Sequence, residues 1–320
     1  METQVKRIIP SIYTSDGQFS QTESRQYILD YNEAMSRAIA LQDQGADELI
    51  IMDVTTIAEK RRNLGRFLKD LANNLNIPFT FGGGVHSVQD VTDILKMGVR
   101  KVYVNSAAVR DPSLINRITS EYGTESLMVA IDTKQTFGKW KVFLNGGKSR
   151  TEIDLLNWIE MSQVRGASEI LVSTISRHST EPADILEILK KVRENCHVPL
   201  LVSVGARTED DFSQTLQYTG ADGIVSGHFF LSPDHNIHQL KQALRADGIL
   251  VSESRPPEEV ISTVEMPDNE IEAEGNQDED ELSLMRETPS EKKSIFSSLL
   301  KRKDKEKTAP PPAEDEEELI

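Results

Sequence analysis

An internal repeat constrains the fold of this chain more than any other feature of its sequence. The segments Gly45–Pro112 and Gly166–Pro233 align, with GADELIIMDVT matching GASEILVSTIS and IPFTFGGGVHS matching VPLLVSVGART. In each copy the same 33 residues separate the opening glycine from the proline that precedes the next predicted strand. Self-similarity at this spacing indicates that the chain is built from two copies of one structural unit.

Each copy has the pattern of strand, tight turn, helix and strand. In the first copy, Phe79–Phe81 is a β-prone run that stops at three glycines, Ser87–Met97 has helical spacing, and Lys101–Val104 is a second strand. This order is typical of a parallel βαβ unit. Two copies with their leading strands make about eight βα units, so the sequence predicts a (β/α)₈ barrel with a two-fold internal repeat.

The composition divides the chain in two. Residues 1–251 match the roughly 250 residues that such a barrel takes. Residues 252–320 contain 21 acidic and 9 basic side chains and lack apolar periodicity, which predicts a disordered acidic tail. Within the tail, residues 294–303 have the spacing of a short amphipathic helix, suited to a partner groove or a membrane surface, or else form part of a solvated linker. The partner of the tail is unknown.

The remaining composition excludes several function classes. A net charge of −16 without a basic stripe argues against nucleic acid as a partner. No signal peptide and no apolar run of about 18 residues is present, so we expect no membrane crossing. The single cysteine, Cys196, fits a reducing, cytoplasmic location. His235 and His238 lack a third ligand nearby, and nothing indicates a metal or a cofactor.

Candidate site residues follow the predicted strands, because the chemistry of such barrels lies at the carboxyl ends of the strands. Glycines there let backbone N–H groups approach a phosphate, and the polar residues beside them complete a cradle. We therefore predict a phosphorylated small molecule with a phosphate at each end, spanning the mouth. Residues 18–30 are predicted to form a long mobile loop above it, after an exit loop at Tyr13–Gly17. The predicted contacts are Asp53, Gly83, Gly84, Asn105 and Ser106 in the first half, and Ser203, Gly205, Ser226 and Gly227 in the second.

Several stretches resemble one family closely: KRIIPSIYTSDG, GADELIIMDVT, IPFTFGGGVHSVQDV, VNSAAVRDP, VAIDTK and GASEILVSTISR. They are similar to the cyclase subunit of imidazole glycerol phosphate synthase, HisF, from Val5 to about Val251. The resemblance implies a lyase that receives ammonia from a HisH-like glutaminase subunit and reacts it with a doubly phosphorylated ribulosyl nucleotide. The products of that reaction feed histidine and purine synthesis.

The resemblance also implies two catalytic aspartates, which serve as general acid and base during ring closure. Asp132 retains the one on strand five, whereas Tyr13 stands at the position of the other. A phenol titrates near pH 10 and is a poor base at neutrality. The family's loop lysine falls near Gln21, and its Asp-Arg-Asp-Gly-Thr run becomes Ser-Arg-His-Ser-Thr at 176–180.

Bulky residues enter the second phosphate cradle as well, at Val204 and His228. Two hypotheses follow from these departures. The first is an enzyme of the cyclase type with impaired or altered catalysis, active on the family substrate or a related phosphorylated one. The second is a non-catalytic barrel that binds a phosphorylated ligand, or acts as a scaffold that recruits partners through its tail.

The predicted floor of the barrel departs less from the family. The resemblance implies a ring of alternating charges that gates an ammonia channel, and all four members are present, either for that purpose or for folding alone. They are Arg7, Glu48, Lys101 and Glu169. An acidic residue that faces the glutaminase in the family is Arg100 here, and this charge reversal disfavours the usual partner or marks a co-adapted one.

Overall fold

Parallel strands close into a barrel in the computed structural model, which describes residues 4–15, 18–20, 28–55, 62–175, 181–231 and 234–253. Its strands are β1 (Arg7–Ser15), β2 (Gln18–Ser20), β3 (Ile28–Leu29), β4 (Leu49–Asp53), β5 (Phe79–Gly82), β6 (Lys101–Val104), β7 (Leu127–Thr136), β8 (Lys139–Leu144), β9 (Ser149–Asp154), β10 (Glu169–Thr174), β11 (Leu200–Ser203) and β12 (Gly223–Ser226). Strands β1, β4, β5, β6, β7, β10, β11 and β12 pair in parallel in that order, and β12 pairs with β1 to close the ring.

Helices connect the barrel strands and surround them. They are α1 (Tyr31–Asp43), α2 (Arg62–Asn74), α3 (Val88–Leu95), α4 (Ser106–Arg110), α5 (Ser113–Tyr122), α6 (Leu155–Val164), α7 (Pro182–Asn195), α8 (Glu209–Thr219) and α9 (Ile237–Ala246). The predicted (β/α)₈ barrel is therefore confirmed. No helix among the described residues is long and apolar enough to span a membrane.

The two-fold repeat is visible in how the helices begin. Ser87 caps α3 by accepting from the backbone N–H of Asp90, whose carboxylate accepts in return from the N–H of Ser87. Thr208 and Asp211 make the same reciprocal pair at the start of α8. Each pair satisfies N–H groups that a helix start leaves without intrahelical partners. The aligned segments thus fold alike up to their capping hydrogen bonds.

The apolar side chains form two clusters, one on each side of the barrel wall, because successive strand residues point to opposite faces. The larger cluster lies between strands and helices and contains, for example, Ile8, Phe67 and Trp158. The smaller lies inside the barrel, and its members come from alternating positions of seven strands. They are Ile9, Ile50, Tyr103, Met128, Ala130, Leu171, Leu201 and Val225.

The structure corrects two predictions at the start of the chain. Tyr13 was expected in an exit loop, but β1 continues through it to Ser15. Within the expected loop at 18–30, β2 pairs antiparallel with β1 and β3 pairs with β2, so Tyr13 lies opposite Ser20. The end of β1 is paired on both edges, in parallel with β4 and antiparallel with the folded-back β2, so its N–H and C=O groups do not need water.

The predicted tail lies almost entirely outside the described residues, which end at Glu253. The amphipathic segment at 294–303 is also outside them. The last described residues are held by α9: Lys241, which is fully buried, donates to the Ser252 hydroxyl at 2.6 Å and to Asp47 at 2.8 Å. The chain is therefore anchored to the barrel up to Ser252.

Candidate functional site

Strand alternation places three candidate residues on the interior face at the carboxyl end of the barrel, called the mouth below. Ile9 belongs to the interior cluster, so Tyr13, four residues further on β1, faces the same side. By the same count from Ala130 and Tyr103, Asp132 and Asn105 face the interior, Asp132 where the pairing of β7 with β10 nears its end and Asn105 directly after β6. The retained acid and the phenol in place of its counterpart thus share one opening.

The first-half cradle is built by a close approach of two strand ends. A Cβ on Gly83 would lie 1.9 Å from the backbone oxygen of Asp53, and Gly83 has a φ of 111°. Only glycine fits this position and this backbone conformation. The carboxylate of Asp53 accepts from the backbone N–H of Thr55 at 2.9 Å, so it orders the turn after β4.

Asn105 and Ser106 continue the cradle at the end of β6. The side-chain oxygen of Asn105 is buried and has no hydrogen-bond partner among the described residues. Such a group normally has one, and rotation of the amide would present its N–H donors instead. Ser106 is the first residue of α4, and its hydroxyl accepts from the backbone N–H of Asn145 at 2.9 Å. Both residues therefore retain hydrogen-bonding capacity at the mouth.

The second-half cradle differs at the backbone. Val204 occupies the place that Gly83 holds in the first half, and its φ is not positive. Gly205 keeps a positive φ of 72°, and a Cβ there would meet no atom within 4 Å. The Ser203 side chain falls on the interior face by alternation from Leu201. The Ser226 hydroxyl is buried and accepts weakly from the N–H of Phe229, 3.4 Å away, while Gly227 follows on the interior side.

The floor, at the amino ends of the strands, carries the predicted ring of charges. Arg7 contacts Glu48 at 3.3 Å and makes a shorter bond to Glu169, which also accepts from Lys101 at 2.5 Å. The Thr80 hydroxyl donates to Glu48. Because Arg7, Lys101 and Glu169 come from strands that are not neighbours, these ion pairs cross the interior and close the floor.

Burial and contacts with neighbouring side chains have opposite effects on the pKa values of Glu48 and Arg7. Burial raises the pKa of Glu48, although the hydrogen bond from Thr80 works against it. Burial disfavours the charged form of Arg7, yet the carboxylate of Glu169 outweighs that effect and raises the pKa of the guanidinium. The neutral form of Glu48 is thus favoured by burial, and the charged form of Arg7 is favoured by its carboxylate partners.

Other residues singled out in the sequence have structural roles. The thiol of Cys196 is buried, burial raises its pKa, and it contacts the carbonyl of Val198 at 3.4 Å. His235 stacks on Phe229 with ring centroids 4.0 Å apart, and His238 contacts Gln242 at 2.9 Å. No group of three or more candidate metal ligands occurs in the described part of the chain.

Sequence reasoning missed Lys134, which lies on β7 two residues after Asp132 and therefore on the same face. Its ammonium donates to the carbonyl of Gly147 at 2.8 Å. From the sequence alone, the run Trp140–Leu144 followed by Asn145-Gly146-Gly147 predicts a hairpin arm and a turn. The register that brings Lys134 to that turn depends on tertiary pairing.

Some predicted positions lie outside the described residues. These are Gln21, at the place of the loop lysine, and the run at 176–180 after β10. Arg100 is described: it is exposed on the floor beside Lys101, and its backbone N–H bonds to the carbonyl of Phe79.

Known proteins with similar sequences belong to one family. The sequence profile of a family described as histidine biosynthesis protein matches residues 7–236. A protein of Flavobacterium psychrophilum called imidazole glycerol phosphate synthase subunit HisF is 36% identical over 246 residues, which cover 77% of this chain and 98% of that protein. The subunits of the same name from Flavobacterium johnsoniae and Bacteroides thetaiotaomicron are 35% and 33% identical over the same shares.

Proposed function

Because this chain belongs to the histidine biosynthesis protein family and is a diverged member of its HisF group, we propose that its barrel mouth binds a phosphorylated ribulosyl nucleotide or a close relative of it. The cradle of Gly83, Gly84, Asn105 and Ser106 would hold one phosphate. The observation that carries the proposal is the turn at Gly83, which only glycine can form, next to the buried side-chain oxygen of Asn105, which has no hydrogen-bond partner among the described residues.

We propose further that Asp132 acts as the general acid or base of an ammonia-dependent ring closure of the HisF type, with impaired or altered catalysis. Its interior position at the mouth supports that role. Tyr13 is the reason to propose impaired or altered catalysis, because a phenol contributes little base catalysis at neutral pH. One positioned proton transfer is typically worth about 10²–10⁴ in rate. The products would be those of the HisF reaction when the family substrate is used.

A second candidate function is a barrel that binds the phosphorylated ligand without turning it over. Val204 favours it, because its side chain and its backbone conformation remove one of the glycines of a two-ended phosphate site. If the barrel is an enzyme, a HisH-like glutaminase would dock at the floor beside the charge ring. There Arg100 presents a positive charge, so a partner that has co-adapted would carry an acidic residue opposite it.

A cyclase assay with the phosphorylated ribulosyl nucleotide and excess ammonium tests these proposals without a glutaminase. Turnover that disappears in Asp132→Asn and persists in Asp93→Asn, a change on the exposed side of α3, would support the enzyme. Thermal stabilisation by the nucleotide without turnover would support the binding protein. If the nucleotide is not turned over and does not stabilise the protein either, both the enzyme and the binding protein are contradicted.

A further inference from the structure

The turn between β8 and β9 connects three successive strand ends at the mouth. Asn145 reaches Ser106 after β6, as described above, and Gly147 receives the ammonium of Lys134 from β7. A Cβ on Gly147 would lie 2.5 Å from Ile175, which follows β10. The turn therefore lies against the mouth beside the first-half cradle.

The ammonium of Lys134 is held in this arrangement without a carboxylate. Its side chain is half-buried, and its nitrogen lies 5.0 Å from the ring centre of Phe143 and donates to one carbonyl. No carboxylate among the described residues forms an ion pair with it. Because a lysine has three N–H donors and this one donates to a single carbonyl, the site has the capacity to accept an anion.

The strand register places a second lysine opposite Lys134. Lys134 lies directly opposite Lys141 in the β7–β8 pair. Like charges at opposed positions destabilise a sheet. The two side chains diverge, since Lys141 donates to the backbone oxygen of Glu152 on β9 at 2.8 Å. Lys134 thus contacts the turn at the mouth, whereas Lys141 contacts β9, although the two share a strand face.

We propose that Lys134 is an anion-binding residue of the mouth, and that it completes the first-half cradle by supplying positive charge to the phosphate held there. This inference rests on the proposed function, because it concerns the same ligand. Ser106 and Lys134 contact the same three-residue turn, at the backbone N–H of Asn145 and at the carbonyl of Gly147. The turn therefore holds both side chains beside the first-half cradle.

Asn145 is the positioning residue of this arrangement. It occupies a left-handed conformation with a φ of 56°, and its side-chain oxygen accepts from Arg110 at 2.7 Å. Its backbone N–H fills one acceptor site of the Ser106 hydroxyl. A hydroxyl has a single proton, so that proton remains available to donate to a phosphate oxygen. The turn thus orients one neutral donor and one charged donor toward the same ligand group.

The test is a titration of the full chain with ribose 5-phosphate, with ribose as the uncharged comparison, in matched variants. Lys134→Gln should weaken ribose 5-phosphate binding at least about tenfold, the value of one charged hydrogen bond, and Lys134→Arg should recover most of the loss. Lys141→Gln, which removes the same charge from the opposed position, should bind like the wild type. Recovery by arginine separates charge from packing.

The outcomes distinguish this inference from the proposed function. Asn105→Ala tests the cradle independently of Lys134. If the wild type binds ribose 5-phosphate, Asn105→Ala loses it and Lys134→Gln binds normally, the phosphate site stands and the role of Lys134 is wrong. If the wild type binds ribose 5-phosphate no better than ribose, both are wrong. Equal losses in Lys134→Gln and Lys141→Gln would also overturn the assignment, because they would indicate a diffuse effect of net charge.

Discussion

The backbone oxygen of Asp53 lies where the side chain of residue 83 would begin, 1.9 Å from the position of a Cβ on Gly83. The contact brings the chain after β5 against the end of β4 and gives Gly83 its φ of 111°. The two halves of the barrel differ at this point, since Val204 takes the equivalent place with an ordinary backbone conformation. The asymmetry of the mouth therefore begins in the backbone.

We expect Gly83→Ala to destabilise the protein by more than about 3 kcal/mol, because the methyl group overlaps a backbone atom and the left-handed conformation adds about 1–2 kcal/mol. Gly205→Ala is the matched control: its φ is 72°, but a Cβ meets nothing within 4 Å, so only the conformational cost remains. Urea unfolding of both variants measures the difference. Equal losses of unfolding free energy in the two variants would show that the ends of β4 and β5 move apart at little cost.

Glu169→Gln should cost about 3–5 kcal/mol of unfolding free energy, because it leaves the partly buried charges of Arg7 and Lys101 without their shared partner. The control is Glu152→Gln, which removes an exposed carboxylate that pairs with Arg150 and should cost less than about 1 kcal/mol. Chemical denaturation at neutral pH compares them. A loss below 1 kcal/mol at Glu169 would mean that the floor ring contributes no stability.

The pH dependence of Glu48→Gln follows from the raised pKa of Glu48. A carboxyl whose folded pKa lies above its unfolded value of about 4.3 binds more protons in the native state, so its contribution to stability falls as pH rises through that window. The stability of Glu48→Gln relative to the wild type should therefore improve from about pH 4 toward neutrality. Thermal melts at several pH values measure this, and a constant difference would contradict it.

The sequence predicted the barrel because the repeat, the glycines and the prolines lie at the strand and helix boundaries. Strand alternation alone then places Asp132, Asn105 and Tyr13 on one face. The continuation of β1 through Tyr13 to Ser15 escaped prediction because it depends on pairing with both β4 and β2, which no local pattern specifies. Helix α4 also escaped, since five residues directly after a strand carry no measurable periodicity.

The position of Lys134 shows a second limit of sequence reasoning. Its place on the same strand face as Asp132 follows from the period of two, but its contact with the Asn145–Gly147 turn requires the β7–β8–β9 register. Registers are set by packing against α6 and by the turn geometry together. Lys141, the lysine opposite it on β8, contacts the backbone oxygen of Glu152 instead, so composition alone could not distinguish the two lysines.

Tyr13→Asp tests whether the lost acid limits the proposed cyclase reaction. Tyr13 lies on the interior face of β1 at the mouth, so an aspartate there would share the opening with Asp132. A positioned carboxylate titrates near 4 and is ionised at neutrality, unlike a phenol, so we expect the ammonia-dependent rate to rise about 10²–10⁴-fold. Tyr13→Phe is the control, because it removes the hydroxyl without adding a base and should leave the rate near that of the wild type. If Tyr13→Asp folds and binds the nucleotide but turns it over no faster than Tyr13→Phe, the missing carboxylate does not limit the reaction, and Val204 and the other departures in the second cradle become the next positions to restore.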